Sequence, residues 1–231
     1  IRTLIGEGIS VNVTLLFSVA AYEACAQAYM DGLEDAAKAG HDLAKIASVA
    51  SFFISRIDSA VDKRLDGLLS EEKDAVRRRA IESLLGRVAV ANGLVAYDRY
   101  QAMVASERWQ ALAAKGATTQ RVLWASTSTK NPAYPKLKYV EELMGADTVN
   151  TIPAATFEAY REEGQPGPTL QTDWDTKRAD AVEVMAALAE VGLSIDKITD
   201  ELLEDGVRQF SEAFGGLLDS VQKKRAALLA A

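Results

Sequence analysis

The sequence predicts an α/β protein in which short parallel strands alternate with helices. Runs of β-branched, aromatic and small apolar residues recur along the chain, and segments with helical spacing of apolar residues separate them. The first run, residues 9–17, is apolar at nearly every position, which is typical of a strand buried on both faces. Strands joined through helices favour parallel pairing with right-handed crossovers.

The predicted elements follow one another in regular order. Residues 1–7 resemble the end of an amphipathic helix, and Gly6 and Gly8 favour its termination before the first strand. Apolar residues at three- and four-residue spacing predict a helix over residues 20–39, which Gly40 ends. Further strands are predicted at 46–54, 120–126 and 147–152, further helices from 59 to 114 with breaks at Gly86, Asn92 and Gly93, and at 139–144, 174–191, 195–203 and 206–229, and a loop at 163–168.

Composition narrows the class of protein. The chain has 231 residues, 48% hydrophobic and 26% charged, which is globular composition with enough length for a core. A net charge of −7 argues against binding to nucleic acid, which needs a basic face. No apolar run approaches the roughly 18 residues of a membrane span, no signal peptide is evident, and Cys25 has no second cysteine to pair with. We therefore expect a cytoplasmic protein that acts on neither nucleic acid nor membranes.

The number of strands is small for the length. Four predicted strands occupy a chain close to the roughly 250 residues in which a (β/α)8 barrel holds eight. The chain also begins with Ile1 rather than Met, inside what resembles a helix tail. We therefore expect further strands to precede it in a longer protein.

Candidate functional residues lie in the strands and directly after them, where parallel βα folds bind ligands. Asn12 and Thr14 are polar residues on one face of an apolar strand, and Asn12 is either a ligand-binding amide or a core amide bonded to a neighbouring strand. Arg56 and Lys130 each follow a strand and predict an anion site, unless both are solvated loop charges. His41 is the sole histidine, and no Cys/His cluster has metal-ligand spacing, so we expect no metal site.

At these same positions the sequence resembles transaldolases, in particular the longer bacterial form of actinobacterial type. The resemblance is carried by four long phrases that span most of the chain: GISVNVTLLFS at 8–18, DLAKIASVASFFISRIDSAVDKRLD at 42–66, VLWASTSTKNPAY at 122–134 and YVEELMGADTVNTIPAATFEA at 139–159. They are similar to the fifth, sixth, seventh and eighth strands of the family barrel with their loops.

The resemblance implies a fold and an activity. The fold is a (β/α)8 TIM barrel, of which residues 1–231 supply the last four strands and the C-terminal helices as part of a single domain. The partner is the N-terminal half of the same barrel, which lies outside this chain. The activity is transfer of a dihydroxyacetone unit from sedoheptulose 7-phosphate to glyceraldehyde 3-phosphate through a lysine Schiff base, with no cofactor.

The resemblance also implies roles for individual residues. Asn12 would hold a donor hydroxyl or the imine, and Thr14 would position the catalytic water. The positions implied to bind the sugar phosphate are Ser51, Phe53, Arg56, Ser126 and Lys130, with Arg56 as the main phosphate ligand and Lys130 as a second cation.

One departure from the family pattern keeps two alternatives open. The Schiff-base lysine lies on the fourth strand of the family barrel, and no lysine of this chain matches it. A class I fructose 6-phosphate aldolase shares the barrel and the Schiff base. The other alternative is an inactive half-barrel that only binds sugar phosphate or a partner.

Overall fold

A four-stranded parallel sheet organises the fold. The computed structural model describes residues 1–229. In that part of the chain the strands are β1 (Val11–Leu16), β2 (Ser48–Phe53), β3 (Arg121–Ala125) and β4 (Thr148–Asn150), and the helices are α1 (Arg2–Gly6), α2 (Val19–Lys38), α3 (Ser55–Glu71), α4 (Ala75–Glu82), α5 (Val88–Ala105), α6 (Glu107–Ala113), α7 (Lys138–Glu141), α8 (Ala154–Glu163), α9 (Trp174–Glu190) and α10 (Ile195–Leu229).

The strands lie side by side in the order of the chain, β1-β2-β3-β4, and all pairs are parallel. Helices connect each strand to the next, as the sequence predicts. Because side chains alternate along a strand, the register brings Asn12, Val49 and Arg121 into one row on one face. The next row, on the opposite face, joins Val13 and Ala50 to their neighbours on β3 and β4.

The two faces of the sheet differ in burial. On the outer face, α2 packs on β1 and β2 while α5 packs on β3, and Ala50, Phe52 and Val122 are completely buried. On the inner face Val49 is half-buried, and Asn12 and Arg121 are exposed. These three residues help to line a cavity of about 490 Å³ at the amino ends of the strands. The inner face of the sheet is therefore open at the amino ends of the strands, whereas Ser51, Phe53 and Leu123, farther along the same face, are buried.

The first strand differs from its sequence prediction. Its residues alternate between half-buried and exposed as far as Thr14, whereas the apolar run predicts burial on both faces. The prediction is wrong for this part of the strand because β1 is an edge strand of the sheet. Its last two residues, Leu15 and Leu16, are buried, and α10 packs against Leu15 at Gly206. Asn12 is exposed and is not a buried core amide.

Several element boundaries also differ. Helix α3 begins at Ser55, four residues earlier than predicted, and Gly93 lies inside α5 rather than at a break. Helix α8 follows Pro153 and was not predicted. Helix α10 is continuous through Gly206, which is buried; a Cβ there would meet Leu15 at 3.0 Å, so this glycine permits close packing and does not end the helix.

Among the helices of residues 1–229, none is long and apolar enough to cross a membrane.

Candidate functional site

Two of the predicted site residues meet on the inner face of the sheet. Ser51 Oγ donates a hydrogen bond to Asn12 Oδ1 at 2.8 Å, joining β1 to β2. Ser51 is buried, with 4% of its surface exposed, whereas Asn12 is exposed. The bond uses the amide oxygen of Asn12. Among residues 1–229 the amide nitrogen makes no hydrogen bond, so its two donors remain available to a hydroxylated ligand.

A β-bulge follows directly after these residues. The register passes from Val13 opposite Ala50 to Leu16 opposite Phe52, so that two residues of β1 face one residue of β2. Leu15 has a φ of 60°, a left-handed conformation that is uncommon for a leucine. Bulges of this kind redirect side chains, and Thr14, one of the two bulged residues of β1, is exposed. No residue type in the sequence marks it.

Phe53 and Arg56 lie close together at the junction between β2 and α3. The Arg56 guanidinium lies over the Phe53 ring, 5.4 Å from its centroid, and the ring packs against Phe17 with a centroid distance of 5.2 Å. Arg56 Nη1 also donates to Gln209 Oε1 of α10 at 3.4 Å. Among residues 1–229 no carboxylate forms an ion pair with Arg56, so its charge remains available to an anion.

Ser126 lies at the carboxyl end of β3 against the amino end of α3. Its carbonyl oxygen accepts a hydrogen bond from Ser55 N at 3.0 Å, and the hydroxyls of Ser55 and Ser126 are 3.0 Å apart. Ser126 has a φ of 56°, so the chain turns sharply at the end of the strand. The positive dipole at the helix amino end adds to Arg56 as an attraction for an anion.

Lys130 lies farther along the same loop. It is exposed, and its Nζ donates to Ser128 Oγ at 2.6 Å. It lines a cavity of about 350 Å³ together with Asp58, Asp62 and other residues of α3. Arg56 does not line this cavity. Joint contact of Arg56 and Lys130 with one phosphate therefore stays a prediction.

The arrangement suits a polyhydroxylated anion. It provides amide and hydroxyl groups on the inner face and a cation at a helix amino end. Among residues 1–229 no group of three or more His, Cys, Asp and Glu side chains converges as metal ligands would.

Comparison with known proteins gives one consistent family. The family model for Transaldolase/Fructose-6-phosphate aldolase matches residues 1–221. The transaldolase of Trichodesmium erythraeum is 44% identical over 226 residues, which is 97% of this chain and 58% of that protein. The transaldolases of Frankia alni and Acidothermus cellulolyticus are 45% and 46% identical, over 97% and 96% of this chain, and each is covered to 57% of its own length.

This chain thus spans somewhat more than half the length of the curated relatives that it matches. The family match extends over almost the whole of the chain, and it agrees with the resemblance carried by the strand phrases. The chain belongs to the transaldolase/fructose-6-phosphate aldolase family.

Proposed function

We propose that this chain supplies strands five to eight and the C-terminal helices of a (β/α)8 transaldolase. The uneven burial of the sheet carries the proposal: helices cover the outer face, while at the amino ends of the strands the inner face leaves Asn12 and Arg121 exposed and Val49 half-buried. In a closed barrel the opposite strands cover that inner face. The partner in the proposal is the polypeptide that carries the first four strands.

The proposed reaction moves a dihydroxyacetone unit from sedoheptulose 7-phosphate to glyceraldehyde 3-phosphate. A lysine on one of the other strands attacks the donor ketone and expels its oxygen as water to form an iminium. The iminium accepts the electron pair of the C3–C4 bond when the C4 hydroxyl loses its proton and that bond breaks. Erythrose 4-phosphate leaves, and the bound three-carbon carbanion then attacks the aldehyde carbon of the acceptor. Hydrolysis of the iminium releases fructose 6-phosphate. The proposal needs no cofactor.

The residues of this chain bind and orient the sugar phosphate in this scheme. Asn12, held by Ser51, donates from its amide nitrogen to a donor hydroxyl or supports the imine. Thr14, beside the bulge, positions the water that hydrolyses the iminium.

In this scheme the phosphate group of the substrate binds near Arg56 and Ser126, at the carboxyl ends of β2 and β3. Arg56 makes the main ionic contact, and its guanidinium is already oriented by stacking on Phe53. Ser126 and the amino end of α3 add hydrogen-bond donors. Lys130 is proposed as a second cation from the same loop.

A chimera tests this function. These 231 residues replace the matching region of the Trichodesmium erythraeum transaldolase, which then supplies the remaining strands. The chimera is treated with fructose 6-phosphate and borohydride, and intact mass records any covalent adduct, with the Trichodesmium remainder alone as the control. We expect an adduct on the chimera only; a folded chimera without one contradicts transaldolase and aldolase activity alike and leaves the inactive half-barrel.

A second candidate, a fructose 6-phosphate aldolase, follows from the family description, which names both activities. The two differ in the fate of the three-carbon unit. An aldolase releases free dihydroxyacetone from fructose 6-phosphate alone, whereas a transaldolase turns over only when an acceptor such as erythrose 4-phosphate is present. Turnover of the chimera with and without that acceptor decides between them.

A further inference from the structure

Two buried carboxylates on α3 form a cluster outside the residues assigned above. Asp58 and Asp62 lie one helical turn apart and are 1% and 8% exposed. Carboxylates are rarely buried to this degree unless they are paired with hydrogen-bond donors or cations, because removing the charge from water is costly. Burial raises the pKa of Asp58 to about 6.

The hydrogen bonds of the two carboxylates repeat one pattern. Asp58 accepts from Ala89 N at 2.7 Å through one oxygen and from the Tyr139 hydroxyl at 2.8 Å through the other. Asp62 accepts from Gly86 N at 3.0 Å and from the Tyr134 hydroxyl at 2.8 Å. Each carboxylate thus joins α3 both to the backbone around the start of α5 and to a tyrosine that follows β3.

The position of Gly86 against the Tyr134 ring leaves no room for a side chain at residue 86. Its φ is +69°, and a Cβ there would lie 2.6 Å from the ring of Tyr134. The Tyr134 ring therefore rests on the glycine backbone, and its other neighbour is Lys138, whose Nζ is 5.3 Å from the ring centroid. The position of Tyr134 is fixed by ring contacts as well as by its hydroxyl.

The cluster shares a helix and a loop with the residues of the proposed phosphate site. Asp58 is two residues after Arg56 on α3. The loop that carries Ser126 and Lys130 is attached to the amino end of the same helix through the Ser55 contacts. At its far end the same loop is attached to α3 again by Tyr134.

We propose that Tyr134 and Tyr139, through Asp62 and Asp58, are positioning residues that hold the loop of residues 126–137 against α3 for phosphate binding. This proposal rests on the proposed function. The loop is fixed at both ends to the helix that carries Arg56, so Ser126 and Lys130 are oriented before the ligand arrives. Pre-organised donors bind an anion more tightly because less conformational entropy is lost on binding.

Tyr134→Phe in the chimera tests the proposal, with Tyr139→Phe as a second variant. Tyr100→Phe is the matched control: its hydroxyl also donates to a side chain, Thr119 Oγ1 at 3.2 Å, but next to the amino end of β3. Three quantities are measured: amide hydrogen exchange of residues 126–137, the Kd of inorganic phosphate, and kcat and KM for fructose 6-phosphate.

We expect Tyr134→Phe to speed exchange in residues 126–137 and to raise the phosphate Kd and the sugar-phosphate KM about tenfold, with kcat changed less than twofold. The control should change none of these. Unchanged exchange and unchanged phosphate Kd in both tyrosine variants would overturn the proposal, and so would a fall in kcat at constant KM. Exchange and phosphate binding need no turnover, so failure of the proposed activity remains distinguishable from failure of the positioning role.

Discussion

At the scale of single residues, Asn12 separates ligand binding from structural support. Asn12 is exposed, and its side chain accepts from the buried Ser51 hydroxyl, so its removal should cost the fold about 1–2 kcal/mol. If Asn12 holds the donor sugar mainly in the transition state, Asn12→Ala in the chimera should lower kcat and kcat/KM together, by roughly 10- to 100-fold. Melting temperature and steady-state kinetics are measured on one preparation. A large loss of stability with unchanged turnover would contradict the binding role.

Arg56 is the residue on which the phosphate site depends. Its guanidinium has no carboxylate partner among residues 1–229 and lies over Phe53, so Arg56→Ala should remove binding that the ground state and the transition state share. We expect KM to rise roughly 30- to 100-fold, equivalent to about 2–3 kcal/mol, with little change in kcat. Arg79→Ala, an exposed arginine on α4, is the control. Equal KM values for the two variants would mean that Arg56 does not bind the phosphate group.

At the scale of elements, the sequence predicted the strands well, because runs such as residues 46–54 consist of small or apolar residues over a strand's length. The pairing of β1 with β2 brings Asn12 and Ser51 into contact, which the sequence alone did not predict. The bulge at Leu15 and the left-handed Ser126 carry no residue signature, since both depend on how neighbouring strands align. The cluster of Asp58 and Asp62 could not be predicted from the sequence for another reason. Its tyrosine partners lie more than 70 residues away along the chain.

The pairing of α3 with its neighbours predicts a pH dependence of stability. Asp58 has a pKa of about 6 in the folded protein, above its ordinary value of 3.8, because burial disfavours the charged carboxylate. Between pH 4 and pH 6 the folded state therefore binds more protons than the unfolded state, and the free energy of unfolding falls as pH rises. The loss amounts to about 2–3 kcal/mol and is complete above pH 6.

Asp58→Asn should abolish this fall in the free energy of unfolding between pH 4 and pH 6, since the amide does not titrate. Urea unfolding of the chimera and its variant at pH 4.5 and pH 7.5 measures it, with Asp66→Asn, an exposed position on the same helix, as the control. The variant should gain stability relative to its parent on going from pH 4.5 to pH 7.5. A constant difference between variant and parent would mean that Asp58 titrates at its ordinary pKa.

At the scale of the whole molecule, the sheet formed by residues 1–229 ends in two strands that each pair on one side only. Strand β1 has β2 as its one neighbour, and β4 has β3. Unpaired strand edges and a partly open inner face favour pairing with other chains. In the proposed barrel, the remaining strands pair with the free edges of β1 and β4 and also cover the inner face of the sheet. Closure of the barrel therefore also completes the active site.

This predicts opposite association behaviour for the chain alone and for the chimera. Produced by itself, the chain of 24.9 kDa should self-associate through its strand edges, and light scattering coupled to size exclusion should find assemblies well above that mass. The chimera should elute without such assemblies, because its edges are paired within the barrel. Lys or Glu substitutions on the exposed face of α9, away from the sheet, serve as surface controls that leave both results unchanged. A stable monomer of 24.9 kDa at high concentration would mean that the sheet needs no further strands, and the half-barrel proposal would then have to be abandoned.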